Sequence, residues 1–469
     1  MRAPPRTTQP RLTVYAAWAA LIGGLALGCS EPTVPPTPPS VLLITIDTLR
    51  ADHLGTYGYP RATSPEIDAL AAQSVVFERA IAASASTVPS HASMMTGRYP
   101  REHSVGYSNG ATRLVGGVTL AEALRSAGYQ TAAFVSNQVL RKSVGLDRGF
   151  DLYDADLTQS ETNRGFVERV ADATTSKALQ WLAGAARDRP IFLWVHYQDP
   201  HGPYDPPLDH SRPFERTPAP DEPALPIVGH EGLNGIPAYQ RIAGLDRLSQ
   251  YRDRYAGEIH YADAATGRLV RAIDAARPEM IIALTSDHGE AFGEHDRYLV
   301  HFWTSTPENA HVPFLLRAPG LAPERRRELV SHVDLLPTLL ELAQLRPHFE
   351  VSGEALGPRL RAAEPLPERT VYCDVGRELS AYSKHRFLRV DRALGAWDLE
   401  PEGSGTDWLP PDAGATYRWD KDGSWERTTE STPLPAAVRD YTSRAEALFE
   451  LQLDVDERAQ LRALGYAEP

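Results

Sequence analysis

Three stretches of this sequence put acids, an imidazole and a hydroxyl where a cation and an ester could meet. Asp47 ends the apolar run Val41-Leu42-Leu43-Ile44-Thr45-Ile46, and Asp287, followed by His288, ends a second run from Met280 through Thr285. Runs of this kind predict strands buried on both faces of a parallel sheet. In such sheets ligands gather where the C-terminal ends of the strands meet. Two carboxylates delivered there can share one cation, and the nitrogen of His288 suits Mn²⁺ or Zn²⁺ better than an all-oxygen Ca²⁺ cage. Either acid alone is more commonly a helix cap. In the third stretch, Thr87-Val88-Pro89-Ser90-His91-Ala92-Ser93-Met94-Met95-Thr96-Gly97-Arg98, Pro89 fits the first turn of a helix that runs to Met95 and stops at Gly97. That sets Thr87 at a helix N-terminus, where free N–H groups attract anions. On its own Thr87 could equally be an N-cap.

The elements needed to position these groups alternate along the chain. Helices are predicted from Pro65 to about Ala72, near 119–126, around 166–183, near 251–276 and over 333–345. Strands are predicted near 131–136, at 191–196 and at 312–316, besides the two apolar runs. Strand and helix in turn mean an α/β fold with a large, mainly parallel sheet flanked by helices. From about Val351 the pattern changes to short aromatic-rich strands, such as 386–390 and 417–419, before a helix from Thr442 onward. This predicts a smaller C-terminal antiparallel α+β subdomain, and boundaries of 41–350 for the catalytic domain and 351–469 for the subdomain. Residues 202–243, rich in proline and without a period, are expected to form a substrate-shaping lid or a poorly ordered loop.

Composition narrows the function. With 469 residues, 42% hydrophobic and 23% charged, the chain can bury a large core. A formal net charge of -13 and the lack of a long Lys/Arg run exclude a sequence-independent grip on nucleic acid. An anionic substrate must then be held by a local metal or by backbone donors. Arg2, Arg6 and Arg11 precede the apolar run 14–28, and Ala26-Leu27-Gly28-Cys29 resembles a bacterial lipoprotein cleavage box. The expectation is an exported envelope lipoprotein: a signal peptide over 1–29, a membrane anchor at Cys29 and a Pro-rich tether over 30–40. Cys373, the one other cysteine, is expected to be a buried apolar residue rather than a nucleophile.

Read together, the motifs resemble the sulfatase family of the alkaline phosphatase superfamily. In order they are Ile46-Asp47-Thr48-Leu49-Arg50-Ala51-Asp52, Pro89-Ser90 with Thr96-Gly97-Arg98-Tyr99-Pro100, Asn109-Gly110 and Thr119-Leu120-Ala121-Glu122. Asp199-Pro200-His201 with Pro203-Tyr204, Ser286-Asp287-His288-Gly289-Glu290, Val312-Pro313-Phe314, Asp334-Leu335-Leu336-Pro337-Thr338 and the ending Leu464-Gly465-Tyr466 complete the series. The resemblance implies an alkaline phosphatase-like fold and one divalent metal ion (Mn, Zn, Ca or Mg) on Asp47, Thr87, Asp287 and His288. It places Thr87 at the family's nucleophile position and puts His201, His301 and Asn109 against the ester or leaving group. His201 and His301 are the proton-donor candidates. His91 stands four residues after the nucleophile position, where the family has an arginine, and is expected among the substrate-binding groups. Asp199, His196, His201 and His301 offer a second metal site, as in related phosphodiesterases; one metal is expected.

The departures bear on mechanism. Sulfatases carry Cys or Ser at the Thr87 position and oxidise it to formylglycine; threonine cannot become that aldehyde, so no formylglycine is expected. The second acid of many sulfatases is Thr48 here. A formylglycine hydrate has a second hydroxyl with which to expel sulfate, whereas a threonine ester must be cleared by water attacking phosphorus or sulfur. This favours phosphate monoester or diester hydrolysis through Thr87. A true sulfuric ester hydrolase, an envelope phosphotransferase and a non-catalytic anion-binding relative are the alternatives.

Overall fold

The central strand sequences are apolar on both sides, and the sheet they build is covered on both faces. The computed structural model describes Met1 and residues 38–105, 113–160, 165–376, 378–383, 386–391, 416–419 and 425–428. The signal peptide with Cys29, most of the tether, Asn109 and the helix expected from Thr442 lie outside the described residues. Eight strands form the main sheet: β1 (Val41–Ile46), β2 (Val75–Ile81), β3 (Gln130–Phe134), β4 (Leu152–Asp154), β5 (Ile191–Tyr197), β6 (Ile281–Ser286), β7 (His311–Arg317) and β8 (Glu324–Ser331). Their order is β8-β2-β7-β6-β1-β5-β3-β4. Only β7 runs against the others, pairing antiparallel with β6 and β2. The sheet is therefore mainly parallel, as the alternation of elements implied.

Val41 and Leu43 pack on one face of the sheet, where α2 (Thr87–Thr96), α3 (Leu120–Ser126) and α6 (Leu335–Leu342) supply Val88, Met95, Leu124, Leu336 and Leu339. Leu42, Ile44 and Ile46 pack on the other, against α1 (Pro65–Ala71), α4 (Ala171–Gly184) and α5 (Leu248–Ala276) through Ile67, Leu182, Tyr255 and Ile259. Each such fully buried aliphatic side chain contributes about 1.5–3 kcal/mol relative to an exposed one. Central strands so anchored are a rigid platform for the residues at their C-terminal ends.

Some elements differ from expectation, for identifiable reasons. β2 and β8 escape the apolar pattern because Glu78 and Arg79 interrupt the first and the second opens Glu324-Arg325-Arg326-Arg327. A charged opening suits β8, which lies at the sheet edge, where charge discourages pairing with another chain. The helix expected from about 166 begins only at Ala171, since Val167–Glu168 pair with Gln159–Ser160. The helix expected over 333–345 is a 3₁₀ turn, His332–Asp334, continued by α6. Residues 202–243 hold short helical pieces at 208–211 and 238–240 and a small strand pair, Ile227–Val228 with Ile236–Pro237, with Tyr204, Phe214 and Ile236 buried.

Beyond the main sheet, β9 (Val371–Asp374), β10 (Glu378–Tyr382), β11 (Arg386–Asp391), β12 (Thr416–Trp419) and β13 (Trp425–Thr428) form an antiparallel meander. The buried Arg101 Nε donates to Asp374 Oδ2 at 2.7 Å, and Asp374 N donates to Ala83 O at 2.9 Å, joining this sheet to the segments on either side of α2. Cys373 is fully buried beside Ile81, Ala85 and Leu329, and burial pushes its thiol well up, away from the nucleophilic thiolate.

Candidate active site

Sheet register brings the first two acids together. Ile46 at the end of β1 pairs with Ser286 at the end of β6 and with Tyr197 at the end of β5. Asp47 and Asp287 therefore leave adjacent parallel strands side by side, while His196 lies level with Thr45 one strand away. The turn after β1 is held by Thr48 N donating to Asp287 Oδ1 at 3.1 Å, and by Tyr255 OH donating to Thr48 O at 2.7 Å. Thr48 has φ 57°, a left-handed conformation that costs a β-branched residue about 1–3 kcal/mol and is characteristic of functional turns.

The hydroxyl arrives from α2. Thr87 is its first residue, and the helix ends at Gly97, whose φ of 66° only glycine adopts without strain. Ser90 Oγ donates to Asp287 O at 2.7 Å, fastening the first turn of α2 to the end of β6. Thr87 Oγ1 then lies 3.3 Å from His288 Nε2. His288 Nε2 is also 3.4 Å from Asp287 Oδ2 and 3.9 Å from Asp47 Oδ1.

The proton on His288 can be placed by elimination. Its Nδ1 is 3.0 Å from Gly289 O, which only accepts, so Nδ1 carries hydrogen and Nε2 presents a lone pair. Burial drives its imidazolium form down to about 3, with the neighbouring His301 adding to the effect. Asp287 is pushed well above the usual carboxylate range by burial and by the charge of Asp47. Asp287 Oδ2 is buried and accepts no hydrogen bond from the described residues. Carboxylate oxygens, an imidazole lone pair and a hydroxyl oxygen converging here fit a divalent cation, which offsets the buried negative charge. Asp47, Asp287 and His288 offer donor atoms mutually within 4.8 Å.

A second group, His91, His196 and Asp287, meets the same distance criterion. His91, however, was expected at the substrate and is not free for either task. Its Nδ1 donates to Thr87 O at 2.8 Å, and its Nε2, 3.1 Å from Thr45 Oγ1, accepts from that hydroxyl, which itself accepts from Trp194 Nε1 at 2.9 Å. The ring is fully buried, and burial, with His196 next, holds it well below the usual imidazolium range. His91 is thus a neutral support for the Thr87 backbone. Among the described residues, Asp199, His196, His201 and His301 do not come together as a second group of metal-ligating atoms; Asp199 accepts from Ala171 N at 2.8 Å, and His196 Nε2 stands 3.6 Å from Asp47 Oδ2.

The two expected proton donors do meet. The ring of His301 stacks on that of His288 with centroids 4.5 Å apart, and His201 packs edge-on to His301 at 5.0 Å. Sequence reading missed the groups that steady this cluster. Asn137 Nδ2 donates to Asp47 Oδ2 at 2.8 Å, and Glu290 Oε1 lies 3.0 Å from His301 Nδ1. Asn137 comes just after the buried strand β3, the kind of position that drew attention to Asp47, and so carried a readable signal. Gly289 is required between His288 and Glu290, since a Cβ there would run into Glu308 O.

The paired acids, the histidine and the helix-borne hydroxyl thus meet where the parallel strands of the eight-stranded sheet end. Residues 39–345 match the family described as Sulfatase, and the chain belongs to the sulfatase family of the alkaline phosphatase superfamily, whose enzymes are metal-dependent. Iduronate 2-sulfatase of Homo sapiens is 28% identical, the match covering 76% of this chain and 76% of the relative. Choline-sulfatase of Rhizobium meliloti is also 28% identical, over 70% of this chain and 72% of the relative. Among solved structures, the phosphonate monoester hydrolase of Agrobacterium radiobacter shares the fold with a TM-score of 0.61 at 21% identity, covering 91% of this chain and 97% of that one.

Asp199, which is partly buried, and the buried Glu258 form an acid pair. Burial raises Asp199 to about 6 and lifts Glu258 well above the usual range, the charge of Asp199 adding to the second. Raised carboxyl pKa values mean the folded chain binds more protons than the unfolded one above pH about 4, so this pair loses stability as pH rises through its folded pKa values. While one extra proton stays bound the slope is about 1.4 kcal/mol per pH unit. Gln at 258 keeps an oxygen for Asp205 N, now bonded to Glu258 at 2.6 Å, and supplies a permanent N–H for Asp199. Thermal unfolding from about pH 5 to 8 should therefore show a shallower loss of stability for Glu258→Gln than for the wild type; equal slopes would show that the pair holds no extra proton.

Proposed function

We propose that this chain is a metal-dependent ester hydrolase that uses the Thr87 hydroxyl as its nucleophile and prefers phosphate monoesters or diesters to sulfate esters. The observation that carries the reading is the 3.3 Å approach of Thr87 Oγ1 to His288 Nε2, beside Asp47 and Asp287. Asp47, Thr87, Asp287 and His288 would hold one cation, and the mixed oxygen and nitrogen donors favour Mn²⁺ or Zn²⁺ over Mg²⁺ or Ca²⁺. When bound, the cation supplies Lewis-acid chemistry, favouring the Thr87 alkoxide and the charge on the nonbridging oxygens.

The chain's own residues do the rest. Thr87 Oγ, its hydroxyl proton released to solvent, attacks in line, its bond to phosphorus forming as the bond to the leaving oxygen breaks. His301 or His201 gives that oxygen a proton. Water then attacks phosphorus, giving a proton back to that histidine as the bond from phosphorus to Thr87 Oγ breaks. The amide groups of the first turn of α2 favour the anion throughout. His91 keeps the Thr87 carbonyl, and with it the nucleophile, in register. A single hydroxyl can complete this cycle at phosphorus; at sulfur it lacks the second hydroxyl that lets a formylglycine hydrate expel sulfate.

Sulfate ester hydrolysis is the second reading, favoured by the names of the curated relatives, iduronate 2-sulfatase and choline-sulfatase. The fold-level neighbour named a phosphonate monoester hydrolase is compatible with the first. The envelope location rests on the N-terminal sequence: an exported protein anchored at Cys29. The purified enzyme, supplied with Mn²⁺, Zn²⁺, Mg²⁺ or Ca²⁺, should cleave an aryl phosphate, a phosphodiester or a phosphonate ester at least about 100-fold faster than an aryl sulfate, a gap of roughly 3 kcal/mol in barrier. A faster aryl sulfate would establish the second reading instead.

A further inference from the structure

His301 is held by a carboxylate that the hydrolytic steps do not use. Glu290 Oε1 lies 3.0 Å from His301 Nδ1, and Tyr204 OH donates to Glu290 Oε2 at 3.0 Å. All three residues are buried. A carboxylate facing Nδ1 keeps hydrogen on that atom and steadies the ring as it changes protonation. His288 and His301 are stacked, and their Nδ1 atoms bond to consecutive residues, Gly289 O and the Glu290 side chain. Nε2 of His288 lies 3.3 Å from Thr87 Oγ1, and the His301 ring is stacked directly against the His288 ring. Tyr204 arrives from the stretch after the Asp199-Pro200-His201 motif, so one hydrogen-bonded chain links the loop carrying His201 to the ring of His301.

We propose that Glu290 is a positioning residue for His301, fixing its tautomer and turning Nε2 to the leaving group, with Tyr204 fixing Glu290 in turn. The inference rests on the reading of His301 as proton donor, and the test separates the two. Esters of one acid with a series of leaving groups, from nitrophenol to a simple alcohol, are hydrolysed by the holoenzyme and by Glu290→Ala, Glu290→Gln, His301→Ala and the double variant Glu290→Ala/His301→Ala.

If Glu290 acts through His301, Glu290→Ala lowers kcat for the alcohol ester by about 100-fold, the low end of a general acid's contribution. It leaves kcat for the nitrophenyl ester, which needs no proton, and KM for both within about threefold. Glu290→Gln, which keeps an acceptor oxygen for Nδ1–H, recovers most of the loss. The double variant is no slower than His301→Ala alone, as for residues acting as a unit. Metal content by elemental analysis and circular dichroism should match the wild type. Equal loss on every leaving group for Glu290→Ala, or a double variant slower by the product of the single effects, overturns the role of Glu290 while leaving His301 as donor. Equal loss across the series for His301→Ala overturns the donor assignment itself.

Discussion

Thr87→Ala should lose roughly 10⁴-fold or more in kcat/KM on the best phosphorus ester, the scale seen when a covalent nucleophile is removed. Thr87→Ser, which keeps the hydroxyl, should stay within about tenfold. The contrast comes from where the hydroxyl sits. Its neighbours His288 Nε2, Asp287 and Asp47 remain in the alanine variant, and Ser90 Oγ still ties α2 to Asp287 O. Fold and metal affinity should therefore survive, apart from the one donor atom lost. Kinetics with calorimetric metal titration separate the cases: a Thr87→Ala enzyme that keeps more than about a tenth of wild-type kcat/KM would mean another group, or water, attacks.

Asp287→Asn should produce two effects of opposite sign. Asn keeps Oδ1 as acceptor for Thr48 N and His288 N, which bond there at 3.1 and 2.9 Å. Its amide nitrogen would replace Oδ2, 3.4 Å from the bare Nε2 of His288, and can donate to it. The cation then meets a hydrogen donor and one charge fewer, so its affinity should fall by at least about 100-fold, with activity falling alongside. Without metal the stability order reverses. Asp287 is raised by burial and by Asp47, so the wild type loses stability as pH climbs above the unfolded carboxyl pKa, and the Asn variant is spared this loss. At about pH 8 with a chelator, Asp287→Asn should melt above the wild type; with saturating Mn²⁺ it should melt below it. The same order under both conditions would mean that no cation is held between Asp47 and Asp287.

Much of this site was legible because its residues come directly after strands whose burial is written in unbroken apolar runs. Asp47 and the Asp287-His288 pair fall at such ends, and Pro89 and Gly97 bracket the helix that brings Thr87. What could not be read was register and hydrogen bonding. Nothing in the local pattern around His91 shows that Thr87 O and Thr45 Oγ1 engage both its nitrogens, and its place in a motif suggested substrate contact. Glu290 stood in the sequence only as the last residue of the Ser286–Glu290 motif; its partners, His301 and Tyr204, come from segments 11 and 86 residues away. β8 was hidden by its charged opening, which reflects its edge position rather than its pairing.

The central claim is that Thr87 Oγ becomes covalently bound to the substrate's phosphoryl group. Rapid acid quench of the metal-loaded enzyme during turnover of a phosphate ester, with peptide mass spectrometry of the quenched samples, tests this directly. The peptide containing Thr87-Val88-Pro89-Ser90-His91 should carry a phosphoryl group on Thr87, formed and lost at rates compatible with kcat. Turnover with that peptide unmodified at every quench time, or with the group on another residue, would contradict the account.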